Sequence, residues 1–352
     1  MIRLLLAAAI ATVVSLAGTR LLIAFFRARN LTQPIRSDGP ETHAHKQGTP
    51  TMGGLAIVGG ACAGYAGSHF IHGGIYTRTG LFVMLAILGA TAVGALDDWL
   101  KVSRAHSKGL SKRAKMLGLC AVGGGFAAAT VLATDVSTEL SFTRSGGIGW
   151  DMGPVGWSLW AVLIIVGASN AVNFTDGLDG LAAGSSIFNF AAFTIIGYWA
   201  FRHVDLYDLP HALDLAVVGA AMLGGCVGFL WWNAAPAQII MGDAGALAIG
   251  TALACLALAT NTHLLLPIMA ALFVMECLSV ILQIGVFKSM GGRRLFAMAP
   301  VHHHFEERGW HETWVIVRFW LLAGFATAVA LGLFYADYFP LLESRSAAED
   351  SP

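Results

Sequence analysis

Apolar runs of roughly membrane length alternate along the chain with short polar segments. The first run, MIRLLLAAAIATVVSLAG, continues through LLIAFF before Arg27 and Arg29 close it. A bilayer core takes about 20 apolar residues per helix. On that measure the pattern predicts ten spans, near 3–25, 55–72, 80–97, 116–134, 157–174, 181–200, 213–232, 244–260, 263–287 and 314–336. The first could pass for a signal peptide with a small-residue cleavage site, but its length favours a retained helix. Runs such as AVGGGFAAA and GALAIGTALA suit helices that approach closely through small residues. The expected class is an all-α polytopic membrane protein, with residues 1–352 forming one integral membrane domain.

Composition agrees. The chain is 56% hydrophobic with 12% charged residues and a mean hydropathy of +0.68, against about a quarter charged in a soluble domain. Net charge is zero, so no bulk field favours nucleic acid, and none is expected as a partner. Cys62, Cys120, Cys226, Cys255 and Cys277 lie in apolar runs without CxxC spacing, which reads as buried thiols rather than disulfides or a metal site.

Charge distribution gives direction to the spans. One set of loops holds Arg27, Arg29, Arg36 and Lys46, then Lys101 to Lys115 with six cations, then Lys288, Arg293, Arg294 and Arg308. The opposite set holds only Arg3, Arg78, Arg144, Arg202 and Arg345. Cytoplasmic loops carry the excess of Lys and Arg, which places the first set in the cytoplasm and both termini outside. The same side receives the unusual polar segments: HKQGTPTMGG (45–54), DDWLKVSRAHSKGLSKRAK (97–115), NAVNFTDGLDG (170–180), NAAPAQIIMGDAG (233–245) and APVHHHFEERGW (299–310). An active site built from five inner loops is the expectation.

Asp97 and Asp98 close an uncharged helical run, where acids oppose the helix dipole. Neighbours on a helix point about 100° apart, so one acid meets a ligand while the other holds a lysine, a metal or the adjoining helix. Ion pairs with Lys101 are the plain alternative. Asn170, Asn173 and Asp176 recur every third residue before Gly177 and Gly180 break the helix, leaving Asp179 in the turn; interhelical bonding by Asn explains this stretch equally well. Asp243 in MGDAG has glycine close on both sides, which lets backbone approach a bulky ligand. Five carboxylates on one face repel one another unless a cation joins them. Hard oxygen ligands favour Mg²⁺ over zinc, and Lys46 and Lys115 then serve as phosphate neutralisers. Positive-inside anchoring accounts for most of the other cations. His302, His303 and His304, three imidazoles read as lying in a loop, can hydrogen-bond phosphate or sugar. A Walker A motif and a strand-borne GxGxxG are both absent from the sequence.

The segments KQGTPTMGG, DDWLKV with KGLSKRAK, NAVNFTDGLDGLA, PAQIIMGDAGALAIG and PVHHHFEERGWHETWVIVRFW, in this order, resemble the MraY (translocase I) family of the polyprenyl-phosphate N-acetylhexosamine-1-phosphate transferase superfamily. The likeness covers nearly the whole chain, and the triple-His segment is its most specific part. It implies transfer of phospho-N-acetylmuramoyl-pentapeptide from UDP-MurNAc-pentapeptide to undecaprenyl phosphate at the inner face of the bacterial cell membrane, giving lipid I and UMP, with Mg²⁺ required. It further implies Asp97, Asp98, Asp243 and His302 as catalytic residues, with Asp243 on the metal. Lys46, Thr51 and Lys115 would engage phosphates, and Asn173 and Asp176 would face the nucleotide. Asp179, Asn233, His303 and His304 would complete the substrate site. A homodimer is left open. Ile240 stands where relatives often carry a Phe able to stack on uracil, and Ala246 replaces a more usual Ser.

Two other readings compete. A GlcNAc-1-phosphate transferase would use the same acids, but PVHHHFEERGW argues against it. A transporter expects ionisable groups at the bilayer midplane and repeated halves, whereas these acids lie at helix ends and no internal repeat is visible.

Overall fold

The computed structural model describes residues 1–29, 48–72, 76–104 and 109–339. Among them the regular elements are helices, and Glu139 and Asp151 form an isolated antiparallel bridge. In chain order the helices are α1 Ile2–Ala28, α2 Gly54–His72, α3 Arg78–Ser103, α4 Lys112–Ala133, α5 Gly153–Thr175, α6 Leu181–Arg202, α7 Val204–Tyr207, α8 Ala212–Asn233, α9 Gly242–Ala259, α10 Leu266–Met269, α11 Ala271–Ser289, α12 Val301–Glu306 and α13 Glu312–Ala336. The long helices fall at the ten expected positions. Nine of them are long and apolar enough to cross a membrane, and the chain is a multi-pass membrane protein. The Gly- and Ser-containing α2 is the tenth long helix.

Local chemistry moves several ends. Ser111 caps α4 by accepting from the Ala114 N–H at 3.2 Å, so the helix starts at Lys112 rather than at the first apolar residue. Pro154 in the first turn of α5 starts that helix at Gly153. The expected single span over 263–287 is instead divided into α10 and α11, with Pro267 in the first turn of α10 and a break at Ala270. The triple-His segment is helical, forming α12, and is not the loop its polarity suggested.

Helix α9 is the axis of the bundle, and every residue from Asp243 to Ala259 is buried. It packs most closely on α3 and α5, while α8 lies among α1, α2 and α6. Glycine permits the close approaches: a Cβ on Gly94 would run into the Asp243 backbone carbonyl, and one on Gly54 would strike the Gly245 backbone. Those contacts set the N-terminus of α9 directly against the last turns of α3. The outward faces of α11 and α13 carry exposed Leu278, Ile281, Leu282, Trp314 and Phe325, as a lipid-facing surface requires.

Candidate active site

Backbone and side-chain bonds tie the polar segments together at one end of the bundle. Ile240 N–H donates to the Pro50 carbonyl at 2.8 Å, and Gly53 and Gly54 N–H donate to the Ile240 and Met241 carbonyls at 3.0 and 2.9 Å. Asp179 Oδ2 accepts from the Ala237 N–H at 2.9 Å, while the Asp179 N–H donates to Glu312 Oε1 at 3.0 Å. Asp98 Oδ2 accepts from the Ala244 N–H at 3.0 Å, on the first turn of α9. An anion at a helix N-terminus satisfies a donor that has no intrahelical partner and complements the dipole. Asp98 is therefore the acid that holds the neighbouring helix.

Asp97, Asp98 and Asp243, all buried, each present an oxygen within 4.8 Å of the other two. At an effective dielectric near 20, two like charges about 5 Å apart repel by about 3 kcal/mol, so three such pairs require cations. Two are present. Lys101 Nζ lies 2.6 Å from Asp97 Oδ2, 2.8 Å from Asp243 Oδ2 and 3.5 Å from Asp98 Oδ1. Lys115 Nζ lies 2.8 Å from Asp243 Oδ2. With its amide turned to match its neighbours, Asn173 donates to Asp243 Oδ1 at 2.8 Å and accepts from Lys115 Nζ at 3.1 Å. Asp97 Oδ1 accepts from the Leu110 N–H at 2.6 Å, and a Cβ on Gly109 would collide with that carboxylate. Gly109 and Leu110, just before α4, thus lie against the acid.

Asp176 caps the C-terminus of α5 beside this cluster. Burial, then the charges of Asp243 and Asp98, push its carboxyl up to about 8, which leaves it largely protonated and able to donate at neutral pH. Thr51 is buried with its hydroxyl unpartnered. A Cβ on Gly242, whose φ is +74°, would meet both that hydroxyl and Asp98. Asn233 Nδ2 donates to the Ile239 carbonyl at 2.9 Å, so its amide shapes the turn before α9 while its oxygen is left unpartnered.

The three histidines separate. His302 is fully buried, with Nδ1 3.1 Å from Glu276 Oε2 and Nε2 against Gly177. His303 Nδ1 lies 2.7 Å from Glu306 Oε2. His304 Nδ1 accepts from the Ala297 N–H at 3.0 Å, and its ring packs edge-on to Phe296 and Phe305, which is a role in shaping its own loop. Asn170 bonds back to the Val166 carbonyl at 2.8 Å and does not extend the polar ladder to the acids. Lys46 lies outside the described residues. The sequence pointed to Lys101 only as an ion-pair partner of Asp97 and Asp98, which the structure shows, and gave no sign of its contact with Asp243 or of Glu276. The positions of Lys101 four and three residues after the two acids were the available signal for those pairs.

Comparison with known proteins places this geometry. Residues 80–261 match the family model for glycosyl transferase family 4, and residues 46–58 match the phospho-N-acetylmuramoyl-pentapeptide-transferase signature 1. The phospho-N-acetylmuramoyl-pentapeptide-transferase of Streptomyces griseus is 45% identical over 96% of this chain and 98% of its own length. That of Frankia alni is 45% identical over 95% and 97%, and that of Cutibacterium acnes 44% identical over 95% and 98%. The chain belongs to the phospho-N-acetylmuramoyl-pentapeptide-transferase family. The signature covers Thr51 and the turn paired with Ile240 and Met241, while the family model takes in Asp97, Asp98, Lys101, Lys115, Asn173, Asp176 and Asp243. The acids gathered around Lys101 therefore lie within the matched part of the family's chain.

Proposed function

We propose that this chain transfers phospho-N-acetylmuramoyl-pentapeptide from its UDP conjugate to undecaprenyl phosphate, releasing UMP and leaving lipid I in the bacterial inner membrane. The names of its relatives support the reaction. The observation that carries the site assignment is the meeting of Asp97, Asp98 and Asp243 around Lys101, beside Lys115, at the end of the bundle where the polar segments join. The positive-inside pattern puts that end in the cytoplasm, where a soluble nucleotide and a membrane-borne phosphate can both arrive.

The reading takes direct attack. An oxygen of the lipid phosphate attacks the sugar-bound phosphorus, the bond from that phosphorus to the bridging oxygen breaks, and UMP leaves with the electron pair. Asp97 orients or deprotonates the lipid phosphate. Lys115, with Thr51 and Lys46, meets phosphate oxygens. Asn173 and the protonated Asp176 face the nucleotide, and the His302 ring faces the diphosphate. Asp179 and Asn233 hold the segment before α9 through the Ala237 and Ile239 backbone.

The donor set fits Mg²⁺. Three carboxylates converge on a point that already accepts a cationic Lys101 nitrogen, and hard oxygens suit a small divalent ion. Asp243 with Asp97 or Asp98 would hold it, and it would supply charge stabilisation to the donor's diphosphate as UMP leaves. The test is UMP release by the purified chain with UDP-MurNAc-pentapeptide and UDP-GlcNAc supplied in turn, each with Mg²⁺ and with EDTA. Turnover confined to the first substrate with Mg²⁺ is expected; turnover of UDP-GlcNAc instead would move the chain to the GlcNAc-1-phosphate branch.

A further inference from the structure

Glu276 lies on α11 within LFVMECLSV, a stretch with no other charge, and its side chain is fully buried. An acid in such a place is costly and calls for a reason. Its neighbour is His302 on α12, also fully buried, with Nδ1 3.1 Å from Glu276 Oε2. Neither carboxylate oxygen and neither ring nitrogen completes a well-aligned hydrogen bond within the protein. A buried polar atom left without a partner loses its hydration with nothing to replace it. A pair serving only to join α11 to α12 would be replaced by apolar packing at no loss.

The far side of the ring decides what the pair is for. His302 Nε2 sits against Gly177, so close that a Cβ there would overlap it. Gly177 directly follows Asp176, whose carboxyl is at the acid cluster. We infer that Glu276 is a positioning residue for His302: it holds the imidazole through Nδ1 and turns Nε2 onto the Asp176–Gly177 turn, toward the nucleotide diphosphate. A carboxylate oxygen only accepts, so the ring nitrogen facing it carries the proton. Nε2 is then the unprotonated atom that faces the Asp176–Gly177 turn. The same arrangement orients functional histidines wherever a carboxylate stands behind the ring. This inference rests on the proposed place of His302 in the transferase site.

The test uses the full-length chain in detergent. Glu276→Gln is expected to lower kcat for UMP release roughly 10- to 100-fold, the range typical when the partner of a functional histidine is lost, with KM changed less than about threefold. Glu276→Asp is expected to recover part of that rate. The Glu276→Gln/His302→Ala double variant is expected to be no slower than His302→Ala. Gly177→Ala, which displaces the ring while leaving Glu276 in place, is expected to reproduce the kcat loss. Long-range ¹⁵N spectra of labelled histidine, with the His302 signals assigned by their loss in His302→Ala, are expected to show Nδ1 protonated in the parent and altered in Glu276→Gln. Parent-like kcat and an unchanged ring spectrum in Glu276→Gln, with His302→Ala impaired, overturn the inference and leave the transferase reading standing. Absence of UMP release by the parent sinks that reading instead, while the spectra still report on the pair. Should Glu276→Gln fail to fold, the parent spectrum decides, since a neutral ring with its proton on Nε2 overturns the inference.

Discussion

Lys101 is surrounded by Asp97, Asp98 and Asp243, and its ammonium sits where a divalent ion would bind. On the proposed metal site, the two cations would compete for one set of oxygens. Replacing Lys101 with Met leaves the carboxylates facing one another with only Lys115 in reach among the described residues. The variant is expected to melt several degrees below the parent in EDTA and to regain most of that loss in millimolar Mg²⁺; equal melting temperatures with and without the metal would show that the carboxylates do not share it. For the chemistry itself, Asp97→Asn and Asp243→Asn are each expected to reduce UMP release by at least about 100-fold while expression and the gel-filtration profile stay unchanged. Full activity in either variant removes that residue from its assigned role. The acids were legible in the sequence because charge at the end of an apolar run has few other uses. Lys101 was legible as their ion-pair partner but not as the cation shared with Asp243, because a lysine at the same helix end is what the positive-inside rule supplies anyway. Glu276 was hidden for the opposite reason: its partner lies 26 positions away on a separate helix, and no local spacing announces the pair.

Helix ends are where the sequence was least informative, and caps and prolines explain the differences: Ser111 advances α4, Pro154 advances α5, and Pro267 helps divide the ninth expected span. The site gains from this, since the extra turn of α4 carries Lys115 onto Asp243. Between α3 and α9 the sequence showed glycine but not its partner. Gly94→Leu forces a side chain into the Asp243 backbone and is expected to cost about 1–3 kcal/mol of stability, read as a lower midpoint in a detergent thermal melt; an unchanged midpoint would mean that the two helices are not in contact there. At the other end of the bundle, the Ser141 N–H donates to His263 Nε2 at 2.9 Å, pinning the 134–152 connection to the turn after α9. Burial lowers the His263 ring from 6.5 to about 4, so the fold favours its neutral form. Its contribution is intact above about pH 6.5 and is lost as pH falls toward 4. Parent stability is expected to decline over that window, with a shallower decline in His263→Gln; identical pH slopes would assign the acid sensitivity elsewhere.

Across the whole molecule, the asymmetry of Lys and Arg predicts which end faces the cytoplasm. In a chain whose own five cysteines are replaced by Ala, a cysteine at exposed Ser111 is expected to react with an impermeant maleimide only in inverted vesicles, and one at exposed Gly149 only in intact cells. The reverse pattern would place the acids outside and separate them from a cytoplasmic nucleotide. Long uncharged runs made the ten-helix layout readable from sequence, since spanning segments have little freedom in length or composition. Their mutual arrangement was not readable, because α9, enclosed on every side, has the same hydropathic character as the lipid-facing helices around it.

That enclosure bears on when the enzyme comes into being. A nascent chain that has inserted α1 to α8 already carries Asp97, Lys101, Lys115 and Asn173, yet the place they point to is vacant until α9 threads into the middle of its predecessors. Asp243 arrives at the leading tip of that helix. Synthesis thus leaves the group of three acids incomplete until the centre of the bundle is filled, and a ribosome stalled before residue 242 is expected to leave a membrane-bound fragment that lacks Asp243.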